Sequence, residues 1–218
     1  WGVVSQGHIP TRTSLSREIL GKGSKPIKVR LDPGGRQKLD VMGAPGEPVL
    51  VWAKALTGRV ACAAQSLEGP PSLSRTYGLI DGYAITVLPS GAGGQVQVWD
   101  PQEGGRAFSE CELQARGFKP VTRLKPLASG VSQNDLQGGA ALRWELPAGG
   151  KQVDLVLEDG LAAYLTDGAK VVGVAFAKGH PVHASFPTTA SGLVILNLAA
   201  TKAAFSVELR QRSEVTFV

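Results

Sequence analysis

The sequence predicts an all-β chain of two tandem antiparallel β-sandwich domains, jelly-roll-like, preceded by an N-terminal arm. Three observations carry that prediction. Short runs rich in Val, Ile, Leu and aromatic residues are punctuated by Gly, Pro, Asp and Asn clusters along most of the 218 residues. Many of these runs alternate apolar and polar residues with period two, the mark of a strand with one packed and one wet face. A strand-and-turn unit also recurs, since Gly34-Gly35-Arg36-Gln37 is echoed by Gly149-Gly150-Lys151-Gln152, 115 positions later. Residues 60–65 against 173–178, and 85–88 against 195–198, keep the same order, so each copy has the span of an ordinary domain.

Residues 1–25 show no sustained alternation and read as the arm. One helical turn is expected from Ser14 to Leu20, with Ser14 as N-cap, before Gly21 and Gly23 end it. The first sandwich is assigned to 26–112, with strands at 27–31, 37–42, 49–55, 60–65, 82–88 and 95–99. In it Ile27, Val29 and Leu31 face one way and Lys28 and Arg30 the other, and Val96 and Val98 oppose Gln95 and Gln97. Gly91-Ala92-Gly93-Gly94 precedes a strand, not the helix a phosphate-cradling loop requires, and reads as a hairpin turn. A connector is expected at 113–139, where 111–116 fits a short helix or an edge strand and 133–139 is polar and Gly-rich. The second sandwich is assigned to 140–218, with strands at 142–146, 152–157, 162–166, 171–177, 183–186, 193–198 and 205–210. Short strands at this spacing with almost no amphipathic helix indicate a sandwich, with a single large barrel as the rival.

At 43% hydrophobic and 19% charged residues the chain belongs to the globular class, not the disordered one. No apolar run approaches the ~20 residues of a membrane-spanning helix. The longest, such as 171–177, fits a buried strand. A start at Trp1, with no Met, basic region or apolar segment, is expected of a processed or trimmed product, a removed export signal being one cause.

Charge is concentrated. The formal net charge is +5, and the stretch from Arg12 to Lys38 holds Arg12, Arg17, Lys22, Lys25, Lys28, Arg30, Arg36 and Lys38 against only Glu18 and Asp32. Such a field suits an anionic partner, whether polysaccharide, envelope polymer or acidic protein, or else it is a solvated face and arm. Nucleic acid is disfavoured because no recognition helix, zinc finger or stacking signature accompanies the charge.

Among the aromatics, Trp52 and Trp144 are expected to point inward, from their apolar neighbours and from alternation with Leu142 and Leu146. Trp99 is out of phase with Val96 and Val98, so it is the candidate for an outward indole on which a pyranose ring could stack. Cys62 and Cys111 match no metal or redox spacing and are consistent with either a disulfide or two buried thiols. His180 and His183 lack an adjoining carboxylate, and Ser185 lacks the glycine-flanked elbow of a hydrolase nucleophile, so no catalytic residue, metal or cofactor is expected.

The second unit resembles the bacterial pre-peptidase C-terminal domains. The likeness lies in Leu142-Arg143-Trp144-Glu145-Leu146-Pro147-Ala148-Gly149-Gly150, in Asp154-Leu155-Val156-Leu157, in Ala163-Tyr164-Leu165-Thr166-Asp167-Gly168, and in a closing hairpin of 193–198 and 205–209. The first unit shares the opening as Val29-Arg30-Leu31-Asp32-Pro33-Gly34-Gly35 and departs from it at Glu47-Pro48-Val49-Leu50-Val51-Trp52. The resemblance implies a small jelly-roll-like sandwich acting as an exported accessory or binding module, periplasmic or extracellular, and supplies no catalytic residues. The function expected is therefore non-catalytic docking of a protein or anionic envelope partner. Oligomer formation through the arm or sheet edges is allowed, and an accessory domain pair of a secreted hydrolase or a carbohydrate-binding module is the alternative.

Overall fold

The computed structural model describes residues 13–15, 26–41, 44, 46–66, 82–89, 94–101, 107–119, 122–123 and 126–211. All regular structure among them is strand: β1 (Thr13–Leu15), β2 (Ile27–Leu31), β3 (Arg36–Val41), β4 (Val49–Thr57), β5 (Ala61–Ser66), β6 (Tyr83–Leu88), β7 (Gly94–Trp99), β8 (Ser109–Gly117) and β9 (Thr122–Arg123). The chain continues with β10 (Gly130–Leu136), β11 (Ala141–Glu145), β12 (Lys151–Leu157), β13 (Leu161–Asp167), β14 (Lys170–Phe176), β15 (Val182–Thr188), β16 (Gly192–Asn197) and β17 (Ala203–Gln211). None of the described residues forms a helix long and apolar enough to cross a membrane.

Four sheets result, which we call A (β1-β3-β7-β5), B (β2-β8-β4-β6), C (β14-β13-β16-β11-β9) and D (β10-β17-β12-β15). Sheets A and B close the first sandwich over Val29, Leu39, Val51, Val96, Val98 and Leu113, all buried. Sheets C and D close the second over Trp144, Val153, Leu155, Ile195, Phe205 and Val207. The fold class is therefore the expected one, two antiparallel sandwiches in tandem. All thirteen expected strands are found with bounds within two residues at both ends, ten of them within one, because their alternation reports the local pleat directly.

Numbered from β10 to β17, the second sandwich has strand orders one-eight-three-six and two-seven-four-five, the jelly-roll pattern. Numbered from β2 to β8, the described strands of the first read one-seven-three-five and two-six-four, the same order as in the second once that copy's fifth strand, β14, is left out; residues 67–81, between β5 and β6, lie outside the described ones. Each copy also sets a short strand parallel to its second strand, β1 on β3 and β9 on β11. The duplication thus holds at the level of topology, but its correspondence is not the one the sequence echo suggested. β2 answers to β10 and β3 to β11, so the turn Gly34 (φ 68°) answers to Gly139 (φ 73°), and Gly149 belongs to the next turn along. In both matching turns the chain closes on an i to i+3 bond, Gly35 N–H to Asp32 O at 2.7 Å and Ala140 N–H to Gln137 O at 3.1 Å. A Gly-Gly-basic echo is turn chemistry, which recurs at every reversal and therefore slips by one strand without penalty.

Other expectations change with the topology. Residues 13–15 are strand, not helix; residues 16–25 lie outside the described ones. The 111–116 segment is part of β8, an interior strand between β2 and β4, so the first sandwich runs beyond 112. Within 133–139, residues up to Leu136 belong to β10, the edge of sheet D. The 193–198 and 205–209 stretches are no hairpin: β16 lies in sheet C and β17 in sheet D. β6 and β7 likewise lie in sheets B and A, so the chain between them crosses from sheet to sheet.

The two sandwiches are joined by a third apolar layer. The outward residues Leu50 and Trp52 of β4 and Ile85 and Val87 of β6 pack on Tyr164, Val174, Phe176, Val194 and Leu196 of sheet C. Trp52 and Phe176 stand 5.9 Å apart between ring centroids, Tyr83 meets Phe176 edge-on at 5.7 Å, and the Lys178 ammonium lies 5.3 Å from the Trp52 ring. Arg116 of β8 donates to Leu198 O across the same junction. Trp52 is buried as expected, but it points out of its own sandwich into this layer, whereas Trp144 points into its own core and meets Phe205. Burial in this layer pushes the Tyr164 phenol far above its usual range, against a smaller lowering by the Arg143 charge.

Candidate ligand face

The outer faces of sheets A and D remain outside these three layers. On sheet A, period two sends Leu39, Val41, Val96 and Val98 into the core, which leaves Arg36, Lys38 and Asp40 of β3 and Gln95, Gln97 and Trp99 of β7 on the other side. The register places Arg36 opposite Trp99, Lys38 opposite Gln97 and Asp40 opposite Gln95. On the far side of β7, Ala61 pairs with Trp99 and Ala63 with Gln97, so small residues flank the indole and the amide next to it. Arg36 and Lys38 are exposed, while Asp40, Gln95, Gln97 and Trp99 are half-buried. Gln95 Nε2 donates to Asp40 Oδ1 at 3.0 Å, which ties the one carboxylate of this set to an amide and leaves the two cations as its charged heads.

The duplication supplies an internal comparison. The equivalents of Arg36, Trp99, Gln97 and Ala63 on sheet C are Ala141, Leu196, Val194 and Tyr164, all buried under sheet B. Where one copy presents an apolar surface to another sheet, the other presents cations, amides and one indole. Sheet D shows the same exchange against sheet B: Gln152, Asp154 and Ser185 replace Leu50, Trp52 and Ile85. Ser185 Oγ donates to Asp154, as does Gln152 Nε2 at 3.3 Å, and the Gln152 amide also reaches Ser185.

The described members of the sequence-predicted basic set, Lys28, Arg30, Arg36 and Lys38, lie on two different sheets. Arg12, Arg17, Lys22 and Lys25 lie outside the described residues. Lys28 and Arg30 project from the outer face of sheet B opposite Glu112 and Glu110, while Arg36 and Lys38 lie on sheet A, on the other side of the sandwich. Sequence proximity failed as a guide because the turn at 32–35 carries the chain from one sheet to the other. Trp99 points outward, in phase with Gln95 and Gln97; Asp40, Gln95 and Gln97 were not singled out, although the same alternation marks them.

Cys62 on β5 and Cys111 on β8 are both buried and unbridged, and burial pushes the Cys111 thiol up to about 11. Asp154, Asp159 and Asp167 do not converge: Asp154 is held by Ser185, Asp159 accepts from Gly179 N–H at 2.6 Å, and Asp167 ends β13. Ser185 therefore faces Asp154, with Asp167 in the other sheet. Among the described residues no three His, Cys, Asp or Glu side chains are placed to hold a metal ion.

Two concavities accompany these faces. A shallow groove of about 460 Å³ on sheet D is lined by Gln133, Asp135, Val156, Glu158 and Ser206. Its carboxylates are engaged, Asp135 by Lys202 at 2.6 Å and Glu158 by Ala204 N–H at 2.8 Å. A crevice of about 350 Å³ at one end of the second sandwich is lined by Lys151, Asp167 and Thr188. The buried Lys151 ammonium donates to Pro147 O, and to Gly149 O at 3.1 Å, so it closes the β11–β12 turn, with desolvation lowering its pKa.

No family model matches the sequence, and no curated protein matches it. Among solved structures, the pre-peptidase C-terminal domain of a collagenase from Bacillus anthracis superposes with a TM-score of 0.32 at 14% identity, over 41% of this chain and 94% of that one. The CUB1-EGF-CUB2 region of human MASP-1/3 gives 0.27 at 8% identity, over 85% and 100% of the two chains. The PBSX exported protein XepA gives 0.31 at 10%, over 90% and 88%. Likenesses this distant carry no argument about function, which rests on the chain's own faces.

Proposed function

We propose that this chain is a non-catalytic, exported binding module, periplasmic or extracellular, that holds an anionic polysaccharide along the outer face of sheet A. The observation that carries the proposal is the pairing of Trp99 with Arg36 on a polar sheet face, at positions whose duplicates are Leu196 and Ala141. A half-buried indole offers a flat apolar surface to one face of a pyranose ring. Beside it a guanidinium suits a sugar carboxylate or sulfate through two parallel hydrogen bonds, and Lys38 adds a second cation one pleat, about 7 Å, further along. Gln95 and Gln97 continue the line with amides, which both donate to and accept from hydroxyls. Export belongs to the proposal because polymers of this chemistry lie outside the cytoplasm.

The test is affinity electrophoresis and calorimetry of the intact chain with polygalacturonate and with a neutral β-glucan. Binding is expected for the uronate polymer, weakening as salt rises because exposed cations are screened beyond about 8–10 Å at physiological ionic strength. Equal retention by the neutral glucan, or no retention by either, overturns the reading.

A further inference from the structure

We infer that the open edge of β2 in sheet B takes an extended segment of a partner protein carrying acidic residues at alternate positions. This site is separate from the ligand face, which belongs to sheet A. β2 is the outermost strand of sheet B among the described residues, with β8 on one side only. Its outward side chains are Lys28 and Arg30, and both are exposed.

Read across the sheet, the outward charges alternate in sign. One row runs Lys54 of β4, Glu112 of β8 and Lys28 of β2, and the next runs Glu110 of β8 and Arg30 of β2. Opposite charges directly across a ladder stabilise the pairing and like charges oppose it. Both rows end on a cation at the open edge, so the next strand outward is favoured if it brings carboxylates to these two positions. The chain already shows the pattern that β2 accepts, for its present neighbour reads Glu110-Cys111-Glu112, with Cys111 turned into the core opposite Val29. An incoming acid–apolar–acid segment would repeat that arrangement on the free side, with main-chain hydrogen bonds supplying affinity and the alternate side chains supplying selectivity.

One further observation marks this edge. Phe108, 48% exposed, lies beneath the Arg30 guanidinium, whose centre is 3.8 Å from the ring centroid, so the cation is braced and an apolar surface is on offer at the strand end. The duplicate edge lacks the cations: β10 carries Gln133 and Asp135 where β2 carries Lys28 and Arg30. A second copy of this chain is disfavoured as the occupant, because pairing β2 with β2 antiparallel brings these cations together.

The experiment uses the intact chain and a short synthetic peptide with Glu-Val-Glu at its centre, beside a Lys-Val-Lys control. Hydrogen exchange is expected to slow at the β2 amides with the acidic peptide alone. The Lys28→Gln/Arg30→Gln variant, with its circular dichroism unchanged, should lose at least tenfold in affinity. The proposal is overturned if the acidic peptide does not bind the wild-type chain, if both peptides bind alike, or if protection falls outside sheet B. The exchange readout on wild type decides even if the variant does not fold. Polygalacturonate binding should persist in that variant, so failure here is distinguishable from failure of the ligand face.

Discussion

Trp99 stands directly opposite Arg36 in the β3–β7 ladder, with Lys38 opposite Gln97 one pleat along. In the duplicate copy, Leu196 and Ala141 form the same pair and are sealed beneath another sheet. One topology thus provides a joint between sandwiches in one place and a polar aromatic surface in the other.

Trp99→Ala should weaken uronate-polymer binding by about three- to tenfold, since aromatic stacking contributes ~0.5–1.5 kcal/mol beyond its area and 1.4 kcal/mol is tenfold. Arg36→Gln should weaken binding and also flatten its salt dependence, whereas Trp99→Ala should leave that slope alone. Calorimetry at two ionic strengths separates the two effects. Both side chains lie off the core, so melting temperature should move little.

Trp52→Ala should cost about 3–5 kcal/mol, the usual loss for a large buried aromatic. The ring is 6% exposed and braced by Phe176, so the cavity would open between the sandwiches, not within either. Calorimetry should show one unfolding transition for the wild type and two for the variant, because the shared layer couples the two cores. Two transitions in the wild type would refute the coupling.

Asn197 is fully buried and donates to Leu136 O at 2.7 Å and Thr201 O at 2.9 Å, while its oxygen accepts from Ala199 N–H at 2.8 Å. Asn197→Ala leaves these backbone groups without their partner and should cost about 2–4 kcal/mol. Asn197→Asp should also destabilise, because a carboxylate facing two carbonyls cannot donate. The first copy places Asp100 at the equivalent position and satisfies it differently, with Ser109 Oγ donating at 3.0 Å. Urea unfolding of the two variants checks both statements.

The Cys111 thiol is raised by burial from 9.0 to about 11 in the folded chain. Folding therefore favours the neutral thiol. The stability this contributes is whole below pH 9 and is lost as pH rises towards 11, where the unfolded chain gains by ionising first. Cys111→Ala should lower the urea midpoint at pH 7 and flatten its decline between pH 9 and 11. An unchanged alkaline slope would mean that another group sets it.

Most strands were legible because alternation is a local property of the pleat. β8 was left between helix and strand because Glu110, Glu112, Gln114, Ala115 and Arg116 are good helix formers, while its inward set, Cys111, Leu113 and Ala115, holds only one large apolar side chain and no β-branched one. β10 was missed for a different reason. Gly130-Val131-Ser132-Gln133-Asn134-Asp135 has little strand propensity and buries only Leu136, so its hydrogen bonds to β17 hold it in the sheet. The basic stretch was legible as charge but not as a surface, because the turn after Leu31 divides it between opposite faces.

By itself the sequence determined where most strands begin and end, which side chains share a face of each, and that the sandwich plan is used twice. Only the tertiary structure decided which copy of each strand answers to which, and which outward faces are covered. Trp52 and Trp99 show the difference: both point out of the first sandwich, yet sheet C covers the first and, among the described residues, not the second, which is half-buried. A strand's own residues specify the direction of a side chain through the pleat. Whether water or another sheet meets it is set by surfaces more than a hundred residues away, and no local pattern carries that information.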